Sequence, residues 1–203
     1  MTPSRQNIFR PDIVLASSSP RRREMFAREG IPVRICPSGA EEHLPMELAP
    51  ETTVMFLALC KAQDVAAKEE GLIVAADTVV VADGKIMGKP ADEEEAFAVL
   101  SMLRERTHQV ITGVCLIDNS VEPAAKRCLF EKADVVFGTY SDEELLAYVR
   151  TGEPYDKAGG YAIKETFGKY IDRIEGDRDN VIGFPMSRVL PYLKTDLEEG
   201  RRI

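Results

Sequence analysis

Ile13-Val14-Leu15-Ala16-Ser17-Ser18-Ser19-Pro20-Arg21-Arg22-Arg23 reads as a short buried strand, a serine turn and the start of a helix. Ser19 suits the N-cap and Pro20 the first helical position. Met25, Phe26 and Ala27 supply an apolar stretch, and Gly30 marks the stop. The charges at this helix start are out of place. A helix N-terminus carries partial positive charge and free N–H groups, so each cation there costs about 0.3–1 kcal/mol. An anion of several charges bound between the serine turn and Arg21, Arg22 and Arg23 would relieve that cost. Arginine is also a good helix former, and Glu24 and Glu29 ease the repulsion without any ligand. A polyphosphate site is the reading adopted.

Outward from this unit, strands and helices alternate at first. Pro32–Cys36 reads as a second strand and Pro37–Pro50 as a loop of small, acidic and proline residues. A long helix is expected from Glu51 to Glu70, ended by Gly71. Leu72–Ala76 is an apolar strand that Thr78–Ala82 extends, and Asp83-Gly84 signals a tight hairpin into Lys85–Met87. Asp92–Arg104 is a helix with acidic residues in its first turn. Val110–Ile117 and Cys128–Phe137 are expected to pair antiparallel across a polar loop at Asn119–Ala124. Ser141 and Glu144 form a capping box for a helix to Arg150. Gly152–Gly160 reads as a loop, Lys169–Ile174 as a strand and Pro185–Lys194 as the last helix. Alternation that gives way to hairpins predicts an α/β fold with a mixed sheet.

The 203 residues fit one domain, 1–203, with a substantial core. A net charge of −8 repels nucleic acid polymers and acidic membranes, so an anionic ligand needs a local basic pocket and is small. Met1–Asp12 has no apolar core with a cleavage site, and no apolar run is long enough to span a membrane. Cys36, Cys60, Cys115 and Cys128 are scattered with no Cys-x-x-Cys pair, as in a reduced, cytoplasmic protein. His43 and His108 have no second ligand at metal spacing. The glycine patterns of the common mononucleotide and dinucleotide loops are both missing.

Certain polar residues stand where a core is expected. Asp77 interrupts an apolar run, either capping a turn or serving as base or metal ligand at the end of a central strand. Lys61 shares a helix face with Val54, Leu57, Ala58 and Val65, so it either snorkels or points its charge into a cleft. Lys89 lies in a stiff Gly-Lys-Pro loop, and Glu41-Glu42 in a loop of small residues; both also suit an exposed surface. The paired glycines Gly159-Gly160 would let a backbone approach a ligand closely. Cations and carboxylates without a histidine-paired nucleophile suit phosphoryl-bond hydrolysis better than acyl transfer.

Leu15-Ala16-Ser17-x-Ser19-Pro20-Arg21-Arg22 resembles the signature of the Maf-like nucleoside triphosphate pyrophosphatases. Further matches follow in order: Glu41-Glu42, Lys61-Ala62, Ala76-Asp77-Thr78-Val79, Gly88-Lys89-Pro90 and Thr107-His108-x-Val110-x-Thr112-Gly113-Val114. Asp156-Lys157-Ala158-Gly159 and Asn180-Val181-x-Gly183-x-Pro185 complete the series, which runs from about Ile13 to Leu193. The resemblance implies a cytoplasmic enzyme that cuts between the α- and β-phosphates. It also implies an elongated two-lobed α/β fold, similar to inosine triphosphate pyrophosphatase, with a central mixed sheet, an interlobe cleft and frequent homodimerisation. Carried onto this sequence, Asp77 would be the catalytic base or metal-organising acid, and Glu42 would help hold Mg²⁺ or Mn²⁺. Ser17, Ser19, Arg22, Lys61 and Lys89 would grip the triphosphate, with Arg21 and Thr78 at positions linked to substrate choice.

Arg21 and Thr78 resemble the dTTP/UTP type; the 7-methyl-GTP type carries tryptophan and glutamine there. Lys164 departs from the pattern, standing where that pyrimidine type has glutamine, and would contact the base or the phosphates. The alternatives are a nucleotide-binding regulator of septum formation with little turnover, and a nucleotidyltransferase, for which no second-substrate site is legible.

Overall fold

A computed structural model describes residues 9–194. Residues 1–8 and 195–203 lie outside it, and with them most of the opening segment read for a leader and both ends of the 1–203 span. β1 (Ile13–Leu15) leads through the serine turn into α1 (Pro20–Arg28), whose N-cap Ser19 accepts the Arg22 amide N–H on its hydroxyl. β2 (Arg34–Ile35) and α2 (Pro50–Ala66) follow, then the long β3 (Leu72–Ala82) and its hairpin partner β4 (Lys85–Met87). After α3 (Glu93–Leu103) come β5 (Thr107–Asp118), β6 (Ala125–Phe137) and α4 (Asp142–Val149), the last opened by the Ser141/Glu144 capping box. β7 (Ile171–Glu175), α5 (Arg178–Ile182) and α6 (Met186–Leu193) end the described chain.

The protein is a mixed α/β structure. Its seven-stranded sheet runs β2-β1-β3-β5-β6-β7, with β4 also on β3; β1 pairs parallel with both neighbours and the remaining pairs are antiparallel. On one face, Ile73, Ala75, Cys115 and Ile117 pack under Ala58, Ala62 and Val65 of α2, with Val54 covering Val79 and Ile111 further on. The other face carries two separate apolar groups. Val74, Ala76 and Val114 pack against Phe26 of α1 and Val189 of α6, whereas Val80, Val110 and Val135 pack against Leu100 of α3 and Leu145 of α4. Thr78 and Thr112, paired across β3 and β5, lie on that face between the two groups.

Several boundaries differ from the sequence expectation. α2 stops at Ala66, about a turn before Glu70, because the Asn119 amide donates to the carbonyls of Ala66 (3.0 Å) and Glu69 (2.8 Å). The 152–160 loop contains two short 3-10 turns, Glu153–Asp156 and Ala158–Gly160, and a third, Thr166–Tyr170, occupies the expected start of β7. α5 is too short to leave a periodic signal.

Candidate active site

Asp77 is not at a strand end. β5 pairs with β3 from Leu72 to Val81, so the strand runs straight through it. What stops is the pairing on the opposite edge: β1 covers Leu72–Val74 and β4 covers Val80–Ala82. No strand pairs residues 75–79 on that edge among the described residues. The parallel and hairpin partners thus part around Asp77 and open a cleft of about 660 Å³. This corresponds to the break in strand order where α/β ligand sites gather.

Successive side chains alternate faces, so Asp77 points toward α2 and Thr78 toward α1. Asp77 lies opposite Gly113, where an added Cβ would come within 2.4 Å of the Val54 carbonyl carbon. Without that side chain, α2 lies directly on the sheet. Lys61 then reaches inward, its Nζ donating to Asp77 Oδ1 at 2.5 Å and lying 2.7 Å from Glu42 Oε1. No hydrogen bond forms to Asp77 Oδ2 among the described residues. The Glu42 loop is tied to the same helix, because Ser38 Oγ (3.0 Å) and the Gly39 N–H (2.8 Å) both donate to Asp64 Oδ2. The Lys61 hydrogen bond holds the Glu42 carboxyl below its usual range against a desolvation cost, helped by the charges of Lys61, Lys89 and Arg22.

On the α1 side, Arg22 Nε donates to the Gly183 carbonyl at 2.8 Å and Nη2 donates to Thr78 Oγ1 at 3.1 Å. Burial lowers the Arg22 pKa and Arg21 adds to that, while Asp77 and Glu42 oppose both. Ser17 Oγ accepts the Ser19 N–H at 3.2 Å and sits 3.5 Å from Arg22 Nη1. Arg21 lies 3.6 Å from Glu165. The exposed side chains of Lys89 and Lys164 line the same cleft. Ser17, Ser19, Arg21, Arg22, Glu42, Lys61, Asp77, Thr78, Lys89 and Lys164 are therefore all brought together. Arg23, the third arginine of the opening run, is exposed and is not part of the lining.

Two features of the site carried no assigned role at the sequence level. Lys157 is buried, donating to the Glu153 carbonyl (2.7 Å) and Asp156 (2.6 Å), with Glu165 at 2.9 Å. Burial works against its charge, yet Asp156 and Glu165 raise its pKa above the ordinary lysine value. It fixes the turn ahead of Gly159, which has φ +67° and would set a Cβ 2.8 Å from Val80. The Asp156-Lys157 pair was legible only as part of a motif. The other feature, the Gly183 carbonyl, is backbone and has no side-chain signature.

The Maf-like protein family model matches residues 12–195. The chain belongs to the Maf-like protein family. Among its relatives, a dTTP/UTP pyrophosphatase of Caldicellulosiruptor saccharolyticus is 42% identical over 196 residues, covering 93% of this chain and 98% of that protein. Another so named, from Thermococcus gammatolerans, is 44% identical over 174 residues, 86% of this chain and 91% of its own. The solved Ham1 protein of Staphylococcus aureus overlaps 64% of this Maf-like chain and 74% of its own, at 14% identity and a TM-score of 0.46.

Proposed function

We propose that this protein is a nucleoside triphosphate pyrophosphatase that hydrolyses the α–β bond of dTTP and UTP, giving the monophosphate and pyrophosphate. The observation that carries the reading is the convergence of Lys61, Asp77 and Glu42 on one cleft with Arg22 and the serine turn. The full-length likeness to proteins named dTTP/UTP pyrophosphatase supports the substrate. The cleft lies between the apolar groups under α1 and α3, and we take these as two lobes of one domain.

Glu42 and Asp77 each give one oxygen to the Lys61 ammonium, which holds the two carboxylates side by side with Asp77 Oδ2 not hydrogen-bonded among the described residues. That donor set fits Mg²⁺ or Mn²⁺, hard cations that take one or two carboxylates and complete their shell with water and phosphate oxygens. Among the described residues no three acidic, histidine or cysteine side chains form a cage, so nucleotide oxygens would complete the site. Bound there, the cation would neutralise phosphate charge and polarise the α-phosphorus. Asp77, with Oδ2 open, orients the attacking water and takes its proton. The water oxygen bonds to the α-phosphorus, the bond to the bridging oxygen breaks, and pyrophosphate leaves with that oxygen. Arg22, Lys61 and Lys89 stabilise its growing charge. The proton then passes to solvent.

Free nucleotide, not a polymer or a membrane surface, is the partner in this reading. The net charge of −8 and the small basic cleft support that reading. We place the protein in the cytoplasm, where these nucleotides are. Incubation with dTTP, UTP and Mg²⁺ should release monophosphate and pyrophosphate in equal amounts. Diphosphate with orthophosphate, or tight binding without product, overturns the proposal, and the second outcome favours a nucleotide-sensing regulator.

A further inference from the structure

We propose that Thr112, buried under the cleft floor, is a positioning residue for Arg22, acting through Thr78. The inference rests on the reading of Arg22 as a triphosphate-binding group. Thr78 and Thr112 are the polar cross-strand pair between two apolar groups on one face of the sheet. Thr112 is wholly buried and is not part of the cleft lining. A hydroxyl in such a place needs a partner.

The partners form a chain with one direction. A guanidinium only donates, so Thr78 Oγ1 accepts from Arg22 Nη2 at 3.1 Å. Its own proton goes to Thr112 Oγ1, 2.9 Å away, and Thr112 donates to the Asn180 carbonyl at 3.0 Å. That carbonyl also accepts the Gly183 N–H at 3.0 Å, but the reverse order would leave it facing Thr112 Oγ1 at 3.0 Å with no proton between the two oxygens. Asn180 is itself held, its amide donating to the Val110 carbonyl at 2.9 Å. With Nε on the Gly183 carbonyl at 2.8 Å and a longer bond from Nη1 to Ser17 Oγ at 3.5 Å, all three nitrogens of the fork are engaged, Nη2 through Thr78.

All these acceptors are neutral, and no carboxylate pairs with Arg22 among the described residues. The guanidinium is oriented, yet its charge is left for an anion. Orientation matters because bidentate phosphate binding needs the plane of the fork as well as its charge. Thr78, at a position tied by resemblance to substrate choice, has its only proton committed to Thr112. Its role is the phosphate grip.

Thr112→Val keeps the shape and removes the hydroxyl. Binding of a non-hydrolysable α,β-methylene triphosphate should weaken about tenfold or more, as expected for a disturbed hydrogen bond to a charged group. KM should rise by a similar factor with kcat less affected, and Thr112→Ser should restore most of the loss. In an Arg22→Lys background, which has no fork to orient, Thr112→Val should add little further loss. Unchanged analogue binding in Thr112→Val overturns the inference, and so does an equal loss in both backgrounds. If Thr112→Val does not fold, Thr78→Val interrupts the same chain at a partly exposed position; additive losses with Arg22→Lys would again overturn it. Wild-type analogue binding by Arg22→Lys sinks the underlying reading. Damaged Arg22→Lys with intact Thr112→Val sinks only the role of Thr112.

Discussion

Asp77 and Gly113 face each other across β3 and β5, and the bare backbone at Gly113 is what brings α2 within reach of the carboxylate. Helical side chains lean toward the helix N-terminus, a direction that suits the 2.5 Å contact Lys61 makes with Asp77. One small residue on a strand thus sets an ion pair made by a helix and a different strand.

Gly113→Ala tests that dependence. The new Cβ would lie 2.4–2.6 Å from backbone atoms of Val54 and Met55, which cannot rotate away. α2 must lift, at a cost of about 1–3 kcal/mol for an overpacked core. We expect a lower melting temperature together with a fall in kcat, because Lys61 and Asp77 lose their register. A variant with full activity and normal melting would show that the close approach is unimportant.

Asp77→Asn keeps the shape and removes the charge. Turnover should fall by at least ~10²-fold, the usual scale for lost acid–base help, while nucleotide affinity is largely kept. Measured kcat and analogue binding separate the two effects. Unchanged turnover would remove Asp77 from the chemistry.

The first strand, its serine turn and the α1 start were legible because Ser19, Pro20 and Gly30 each mark a boundary by local chemistry. So was the β3–β4 hairpin, from Asp83-Gly84. Asp77 stands out as a carboxylate in an apolar run, but the pattern suggests a strand end where β3 in fact continues through it. The sequence pattern cannot say on which edge of β3 the pairing stops. Lys61 was legible from helical spacing, whereas its partner required the approach at Gly113. Thr112 enters the sequence reading only as a member of a strand and of a motif block, with no role attached. Its hydrogen bonds join residues far apart in the chain, and no local pattern encodes them.

Lys164 lines the cleft with an exposed ammonium where the pyrimidine-type pattern has glutamine. Lysine only donates hydrogen bonds, whereas a glutamine amide donates and accepts. Thymine and uracil offer two carbonyls and one N–H, so a lysine at the base edge would leave the N–H unread. Lys164→Gln should sharpen the preference for dTTP and UTP in a panel of triphosphates scored by pyrophosphate release. Superimposable selectivity profiles would exclude Lys164 from base selection.

His108 gives the fold an acid limit. It is buried, shares a 2.6 Å hydrogen bond between Nε2 and the Tyr161 hydroxyl, and packs on Phe137, while its Nδ1 has no partner among the described residues. Burial pushes its pKa down to about 4, from 6.5. The unfolded chain therefore takes up this proton first as pH falls. Stability is whole above about 6.5 and is lost progressively toward 4, on the order of 3 kcal/mol from this one group. Burial raises the Tyr161 pKa, so its hydroxyl stays neutral throughout. Asp12 is held low chiefly by its Arg10 hydrogen bond; at Asp118 desolvation is the largest single effect, but the Arg10 and Ser120 hydrogen bonds and the Arg10 charge together exceed it, so both give up their contribution further down the acid range. Urea midpoints measured between pH 7 and pH 4.5 should therefore fall in the wild type and change much less in His108→Gln, whose amide can still bond Tyr161. Equal slopes in the two proteins would assign the acid sensitivity to other groups.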